Sequence, residues 1–247
     1  MKKAVIITAA NNKGGCGKTT TALAIAAEMA ARGLRVLIVD TDSQMNLTQA
    51  MPQAETTILS HLLGETSEPV NIAPNLQGIR GSRDIAVATP HLPNLKTGNA
   101  ITEALQPFMQ RYDVIMIDTP PEGGLLTLNA LKAADFVLIP LQTSLYGLQG
   151  VQELTDRLQK LGKPEGTAGI VLTMFDARRT ICRQVREQIR KHYGAAVFDT
   201  AIRNSVAIVE APLYGKMLRD YAPKATATAD YCALTDEVMK RLKLRGK

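Results

Sequence analysis

Tryptophan is absent from this 247-residue chain, and only four phenylalanines and six tyrosines stand in for it. So few aromatics leave no stacking platform for nucleobases and no bulky ring to seat a helix in a bilayer. Cysteines number three, Cys16, Cys182 and Cys232, far apart and with no C-x-x-C pair. That spacing suggests neither a disulfide framework nor a zinc site. No apolar run approaches the roughly 18 residues of a membrane span. The opening Met1-Lys2-Lys3-Ala4 enters a β-branched run without a cleavage-like site, so a cytoplasmic protein is expected. Histidine is scarce, and His61, His91 and His192 read as solvated surface groups rather than general bases. There is no internal repeat and no low-complexity tract.

What the chain does hold is a glycine loop between two regular segments. Asn12-Lys13-Gly14-Gly15-Cys16-Gly17-Lys18-Thr19-Thr20 lies between an apolar run at 4–10 and helix formers at 21–31. Strand, glycine loop and helix in that order make a phosphate cradle. Gly14, Gly15 and Gly17 have no Cβ to hold the backbone away, so successive N–H groups turn onto anionic oxygens. The helix that follows adds the partial positive charge of its N-terminus. Lys18 brings an ammonium to the β- and γ-phosphates, and Thr19 stands at the spacing that ligates Mg2+ in P-loop proteins. Cys16 occupies the loop's variable position, where the helix terminus would lower a thiol pKa.

Short apolar runs recur along the chain and end in polar residues. Residues 4–8 end at the loop, 35–39 at Asp40-Thr41-Asp42, and 113–117 at Asp118-Thr119-Pro120-Pro121. Residues 136–139 stop at Pro140, 169–173 precede Met174, and 196–202 precede Arg203-Asn204, while 85–88 reads as a weaker strand. Such unalternating runs suit a sheet buried on both faces, and helical stretches at 22–32, 125–133, 147–161 and 180–193 supply the crossovers. The expected fold is α/β, a P-loop NTPase-like, mostly parallel twisted sheet with helices on both faces in three layers. One domain is expected over 1–247. In such a sheet the ligand sits beyond the carboxyl ends of the strands, where these polar residues collect. Asp118 follows its strand as a Walker B aspartate should, able to hold Mg2+ directly or through a water. Asp40 and Asp42, two residues apart, project to the same side. Residues 52–99, with Pro69, Pro74, Pro90 and Pro93, read as surface loops around one strand and a short helix.

The general loop pattern asks for glycine at the position of Asn12, and what stands here instead is K-G-G-x-G-K-T with a second lysine, Lys13, at its start. This segment resembles the deviant Walker A motif of the ParA/MinD family of P-loop ATPases, and within it the small Soj-like partition ATPases. Residues 198–204, Glu210-Ala211-Pro212-Leu213-Tyr214-Gly215-Lys216, Tyr221-Ala222-Pro223 and the closing 231–241 helix are similar to the succession that ends ParA-type chains. The resemblance spans nearly the whole chain and is weakest over 56–98. It implies ATP and Mg2+ as cofactors, with ATP held by Lys13, Gly14, Gly15, Cys16, Gly17, Lys18, Thr19 and Thr20. It also implies that Lys13 reaches across a dimer interface to the partner's nucleotide, that Asp42 orients the attacking water, and that Asp40 organises the metal shell with Thr19 and Asp118. Met174, Arg203 and Asn204 become candidates for the adenine pocket. Gln44 matches the family's D-x-D-P-Q segment, whereas Ser43 replaces its proline. Because the loop begins almost at the first residue, no N-terminal helix-turn-helix domain and no specific operator binding are expected.

The chain carries a formal charge of +6, yet residues 178–247 alone hold 15 Lys and Arg against 7 Asp and Glu. Arg179, Arg183, Arg186 and Arg190 stack on one helical face, with Cys182, Val185 and Ile189 on another, and Lys216, Arg219 and Lys224 extend the basic region. Such a stripe suits a phosphate backbone read without sequence preference, and it also suits an ordinary solvated helix face. The resemblance implies the first: an ATP-dependent homodimer on nonspecific DNA. Its slow hydrolysis would be stimulated by a ParB-like activator or centromere-binding protein, so that plasmid or chromosome DNA is segregated on the nucleoid. Alternatives are positioning of a protein cargo on the same DNA track, a MinD-like membrane ATPase, and a metabolic P-loop enzyme. Leu234, Val238 and Leu242 are expected to pack the last helix onto the body, leaving Leu244 in the basic tail 238–247 as the free apolar anchor. One leucine contributes about 1.5–3 kcal/mol by burial, so membrane attachment is not expected.

Overall fold

Alternate residues of the central strands face opposite ways, and that period of two builds a core on each side of one sheet. In the computed structural model, which describes residues 3–65, 67–143, 147–164 and 166–246, Val36, Ile38, Val114 and Met116 enter one core while Leu37, Val39, Ile115 and Ile117 enter the other. Met1, Lys2 and Lys247, which figured in the reading of the two termini, lie outside the described residues.

In chain order the elements are β1 (Val5–Ala9), α1 (Lys18–Ala31), β2 (Val36–Asp40), α2 (Ile58–Leu62), β3 (Val70–Ala73), β4 (Leu76–Ile79), α3 (Ile85–Ala88), α4 (Pro93–Thr97) and α5 (Ala100–Leu105). They continue with β5 (Val114–Asp118), α6 (Leu125–Ala133), β6 (Phe136–Gln142), α7 (Gly147–Lys160), β7 (Ala168–Thr173), α8 (Thr180–Tyr193), α9 (Val206–Leu213), α10 (Leu218–Tyr221) and α11 (Thr226–Arg241). Among the described residues the sheet has seven strands in the order β3-β4-β2-β5-β1-β6-β7, parallel throughout except for the β3–β4 hairpin. The α/β, three-layer architecture expected from the sequence is therefore the one observed.

Helices α1 and α11 cover one face, where Ile25, Met29, Leu234 and Val238 are fully buried against the strands. The Tyr231 hydroxyl on α11 lies 3.2 Å from the Thr21 hydroxyl on α1, and burial pushes the Tyr231 phenol up to about 12. The other face is covered by α2 to α6 near β2 and β5, and by α7 and α8 near β6 and β7, where Val151, Leu154, Cys182 and Ile189 are fully buried.

Five local expectations need correction. Residues 85–88 form helix α3 rather than a strand, because a four-residue apolar run has no length to tell the two apart. Residues 196–202 run beside β7 without becoming a strand. Phe198 and Ile202 donate to the Ile170 and Leu172 carbonyls at 2.9 and 2.8 Å, but the pairing stays at isolated bridges. Among the described residues, the 52–99 region holds a two-stranded hairpin and three short α-helices, where one strand and a short helix were expected. His61 is buried, edge-on to Phe108, and Leu244 packs against the core instead of standing free.

The β6–β7 side of the sheet is shaped by one missing side chain. A Cβ on Gly169 would lie 2.6 Å from both Phe136 Cζ and Phe198 Cε2, two rings that pack edge to face. Gly169→Ala should therefore cost about 1–3 kcal/mol by overpacking, read as a drop in thermal midpoint of roughly 2–12 °C for a chain of this size. An unchanged midpoint would show that the rings yield.

Candidate nucleotide and metal site

The glycine loop joins β1 to α1, and side chains from outside hold its shape. Asn11 donates to the Pro140 carbonyl at 2.7 Å and accepts the Lys13 N–H at 3.0 Å. Asn12, where the general motif has glycine, reaches Glu153 of α7 at 3.0 Å. On the far side, the Thr173 hydroxyl at the end of β7 donates to the Cys16 carbonyl at 2.9 Å. Gly15 and Gly17 take left-handed φ values of 72° and 90°, which glycine adopts without strain. Added Cβ atoms on Gly14 and Gly15 would meet nothing within 4 Å, so the loop's exposed face is open space. No side chain caps α1, whose first turn also lacks acids, and its leading N–H groups remain for an anion. Lys18 is buried, with Nζ folded back 3.2 Å from the Lys13 carbonyl. Cys16 is wholly buried, and desolvation pushes its thiol pKa up against the opposing pull of Lys18. The activated thiol considered from the sequence is therefore not present.

Three aspartates stand at the ends of neighbouring strands in contrasting environments. Asp118 pairs in register with Ala9 on one side and Asp40 on the other. It is wholly buried, and neither carboxyl oxygen has a hydrogen bond of acceptable geometry, although the Thr19 hydroxyl and Lys18 ammonium lie close enough to favour the charged form. Desolvation dominates and pushes the carboxyl up to about 8. An orphaned buried carboxylate beside a threonine hydroxyl is a hard-oxygen donor set that fits Mg2+, with phosphate oxygens and water left to complete the shell. Thr19 and Asp118 are the residues that would hold the ion.

Asp40, read from the sequence as an organiser of the metal shell, is equally buried but saturated. Its Oδ1 accepts the Asp42 N–H at 3.0 Å, and its Oδ2 accepts the Thr48 N–H and hydroxyl at 2.8 and 2.7 Å. Asp42 is 6% exposed and accepts the Gln44 N–H at 2.9 Å.

A cleft of about 520 Å3 opens beyond β7, lined by Phe175, Asp176, Arg178, Arg186, Arg203 and Asn204 among others. Arg203 and Asn204, expected near the base, therefore meet there, with Phe175 bridged to Arg203. Met174 has a left-handed φ of 51° and is not among the lining residues. The guanidinium of Arg203 is held by Asp230 of α11 in two hydrogen bonds of 2.9 and 2.6 Å. Phe175, Asp176 and Asp230 had no motif to mark them.

The arginine stripe on α8 is less bare than its spacing suggests. Arg183 donates to the Ala177 carbonyl at 2.9 Å, Arg186 stacks over Phe175 and donates to the Asp199 carbonyl, and Arg190 pairs with the Asp199 carboxylate at 2.7 Å. Arg179 and Lys216 are exposed, whereas Arg219 turns to the buried carboxylate of Glu28, 3.4 Å away.

The Asp118 carboxyl yields a pH test with a definite sign. Its folded value of about 8 lies above the ordinary 3.8, so between those limits the metal-free fold keeps a proton that the unfolded chain releases. Its contribution to stability then falls as pH rises through that window. In EDTA, Asp118→Asn should melt higher than the parent at pH 7–8, with a flatter dependence of midpoint on pH from 5 to 8. The same change should abolish Mg2+-dependent ATP hydrolysis. Parallel melting curves for the two proteins would contradict the burial argument.

A profile of the AAA domain family matches residues 4–168. The chromosome-partitioning ATPase Soj of Thermus thermophilus is 39% identical to this chain over 96% of both proteins. Cobyrinic acid a,c-diamide synthase from Mycobacterium smegmatis, solved with an ATP analog and magnesium, superposes with a TM-score of 0.81 at 26% identity over 99% of each chain. The ATP complex of McdA from Cyanothece shares the fold, with a TM-score of 0.85 at 19% identity over 100% of this chain and 99% of that one. Motif, strand order and near-complete coverage by Soj agree, and the chain belongs to the ParA/MinD family of deviant Walker A ATPases, among its Soj-like members.

Proposed function

We propose that this partition ATPase dimerises on ATP and in that state binds DNA without sequence preference. It hydrolyses ATP slowly until a ParB-like activator or centromere-binding protein accelerates the step, and the cycle of binding and release segregates plasmid or chromosome DNA on the nucleoid. One observation carries the reading: two lysines share one phosphate loop and have different surroundings. Lys18 is buried and folded onto its own loop, whereas Lys13 is half-buried and precedes the exposed Gly14 and Gly15.

Within one subunit the Lys18 ammonium and the N–H groups at the start of α1 neutralise the phosphates, and Thr19 and Asp118 hold the metal, with Thr20 beside them. Mg2+ held there would supply positive charge that offsets the negative charge of the phosphates. Asp42 orients the attacking water, and Lys13 completes the partner's site. Catalysis then rests on positioning and electrostatics, as phosphoryl transfer to water requires. Arg203 and Asn204 border the base, with Met174 next in the chain to the cleft. Arg179, Arg183, Arg186, Arg190, Lys216 and Arg219 are the phosphate contacts for DNA, of which Arg183, Arg186, Arg190 and Arg219 are also engaged by the protein itself. Joining two such surfaces doubles the counterions released, which raises affinity steeply.

Light scattering with a non-hydrolysable ATP analog and Mg2+ should give a dimer for the parent and a monomer for Lys13→Ala, with nucleotide affinity of the monomer within about twofold. A parent that stays monomeric would overturn the model of a shared site. DNA binding followed by anisotropy across a salt series should require ATP. Arg183→Ala with Arg190→Ala should flatten the slope of log affinity against log salt by about 3–4 for a dimer that loses four phosphate contacts. An ATP-independent or salt-independent signal would refute the DNA-track reading.

A further inference from the structure

Asp42 sits on the segment that leaves β2, and nothing in an aspartate's own chemistry fixes where that segment goes. Three buried groups fix it here. Asp40, at 0% exposure, takes the Asp42 N–H on one oxygen and the Thr48 N–H and hydroxyl on the other. Thr48, at 3% exposure, uses its hydroxyl a second time: Oγ1 accepts the Gly81 N–H at 2.7 Å. A hydroxyl has one proton to give, and here it goes to a carboxylate while a lone pair receives an amide. The segment is thereby tied from its start, through Asp40, to the chain beyond β4. Close packing adds to the tie, since a Cβ on Gly81 would lie 3.0 Å from Asp40 Cγ and 3.1 Å from the Asp42 carbonyl oxygen. Next in sequence, Arg80 donates to the Met51 and Pro52 carbonyls and to the Gln53 side chain at 3.2, 2.6 and 3.2 Å.

We propose that Thr48 is a positioning residue for hydrolysis, holding the Asp42 segment through the Asp40 carboxylate on one side and the Gly81 amide on the other. It touches neither phosphate nor water. Its action is to keep the Asp42 main chain where the side chain can orient a nucleophile. Phosphoryl transfer depends on alignment, so a displacement of about 1 Å here would cost on the order of 100-fold in rate. The proposal rests on the reading of Asp42 as the water-orienting group. It also assigns a use to the segment after β4, since a load applied there reaches Asp42 through the Thr48 hydroxyl and the packing of Gly81.

Thr48→Val keeps the shape and removes both hydroxyl bonds, whereas Thr48→Ser keeps the hydroxyl and removes a methyl group. Basal hydrolysis by the full chain, measured with labelled ATP and Mg2+ at saturating protein, should fall at least tenfold in kcat for Thr48→Val. KM and affinity for a non-hydrolysable analog should stay within about twofold of the parent. Thr48→Ser should recover at least half the parental kcat. Gly81→Ala, which crowds the same carboxylate, provides the second test if Thr48→Val fails to fold, and should lower kcat in the same way. A parental kcat for a folded Thr48→Val, or a loss confined to nucleotide affinity, would overturn the proposal. Asp42→Ala separates the two claims: if it hydrolyses at the parental rate, the reading of Asp42 fails. If it is inactive while Thr48→Val is normal, only the positioning role fails.

Discussion

Burying a carboxylate in the middle of a sheet with no donor for either oxygen is expensive unless a cation joins it. Asp118 is in that position because β5 lies between β1 and β2, which gives its side chain no route to solvent. Two hydroxyls close by in sequence or register do not relieve it. Thr41 donates to the Asp118 backbone carbonyl at 2.6 Å, and Thr119 donates to that of Ala9 at 2.9 Å. The uncapped start of α1, the folded Lys18 and the open faces of Gly14 and Gly15 all surround this one unsatisfied group. The site is thus organised by a deficit that nucleotide and metal would make good.

The three strand-end aspartates show how one residue type takes separate tasks by surroundings alone. Asp118 has no protein donor, Asp40 has three, and Asp42 keeps a small exposed fraction while its neighbour's amide holds one oxygen. The same division runs through the basic third of the chain. A surplus of positive charge counted along the sequence becomes, on the surface, a set of arginines most of which hold a loop carbonyl, a ring or a carboxylate. Exposed pairs such as Arg190 with Asp199 contribute little to stability, so their cations keep most of their reach toward an outside anion.

Much of this was legible in the residues themselves. Apolar runs that end in Asp or Gly gave the parallel strands, and lysine and threonine spacing gave the phosphate loop, because both depend on local chemistry. The hairpin at Val70–Ile79 was not legible, since its strands are four residues each and β3 is half exposed. Residues 196–202 were read as a strand for the opposite reason: their pattern is right, and only the absence of continuous partner bonds along β7 denies them the name. Burial of His61 against Phe108 and the capture of Arg203 by Asp230 join residues far apart in the chain, and no local pattern carries such information. The resemblance supplied roles that geometry alone would not, such as the crossing lysine. The structure supplied what the resemblance could not, including the threonine behind Asp40.

Asp230 and Tyr231 are consecutive on α11, about 100° apart around its axis. The first grips Arg203 at the cleft beyond β7, and the second grips α1 just behind the phosphate loop. A single rigid rod therefore ties the cleft beyond β7 to the helix behind the phosphate loop and sets the gap between them like a caliper. Fraying or tilting of this last helix would register simultaneously at both places.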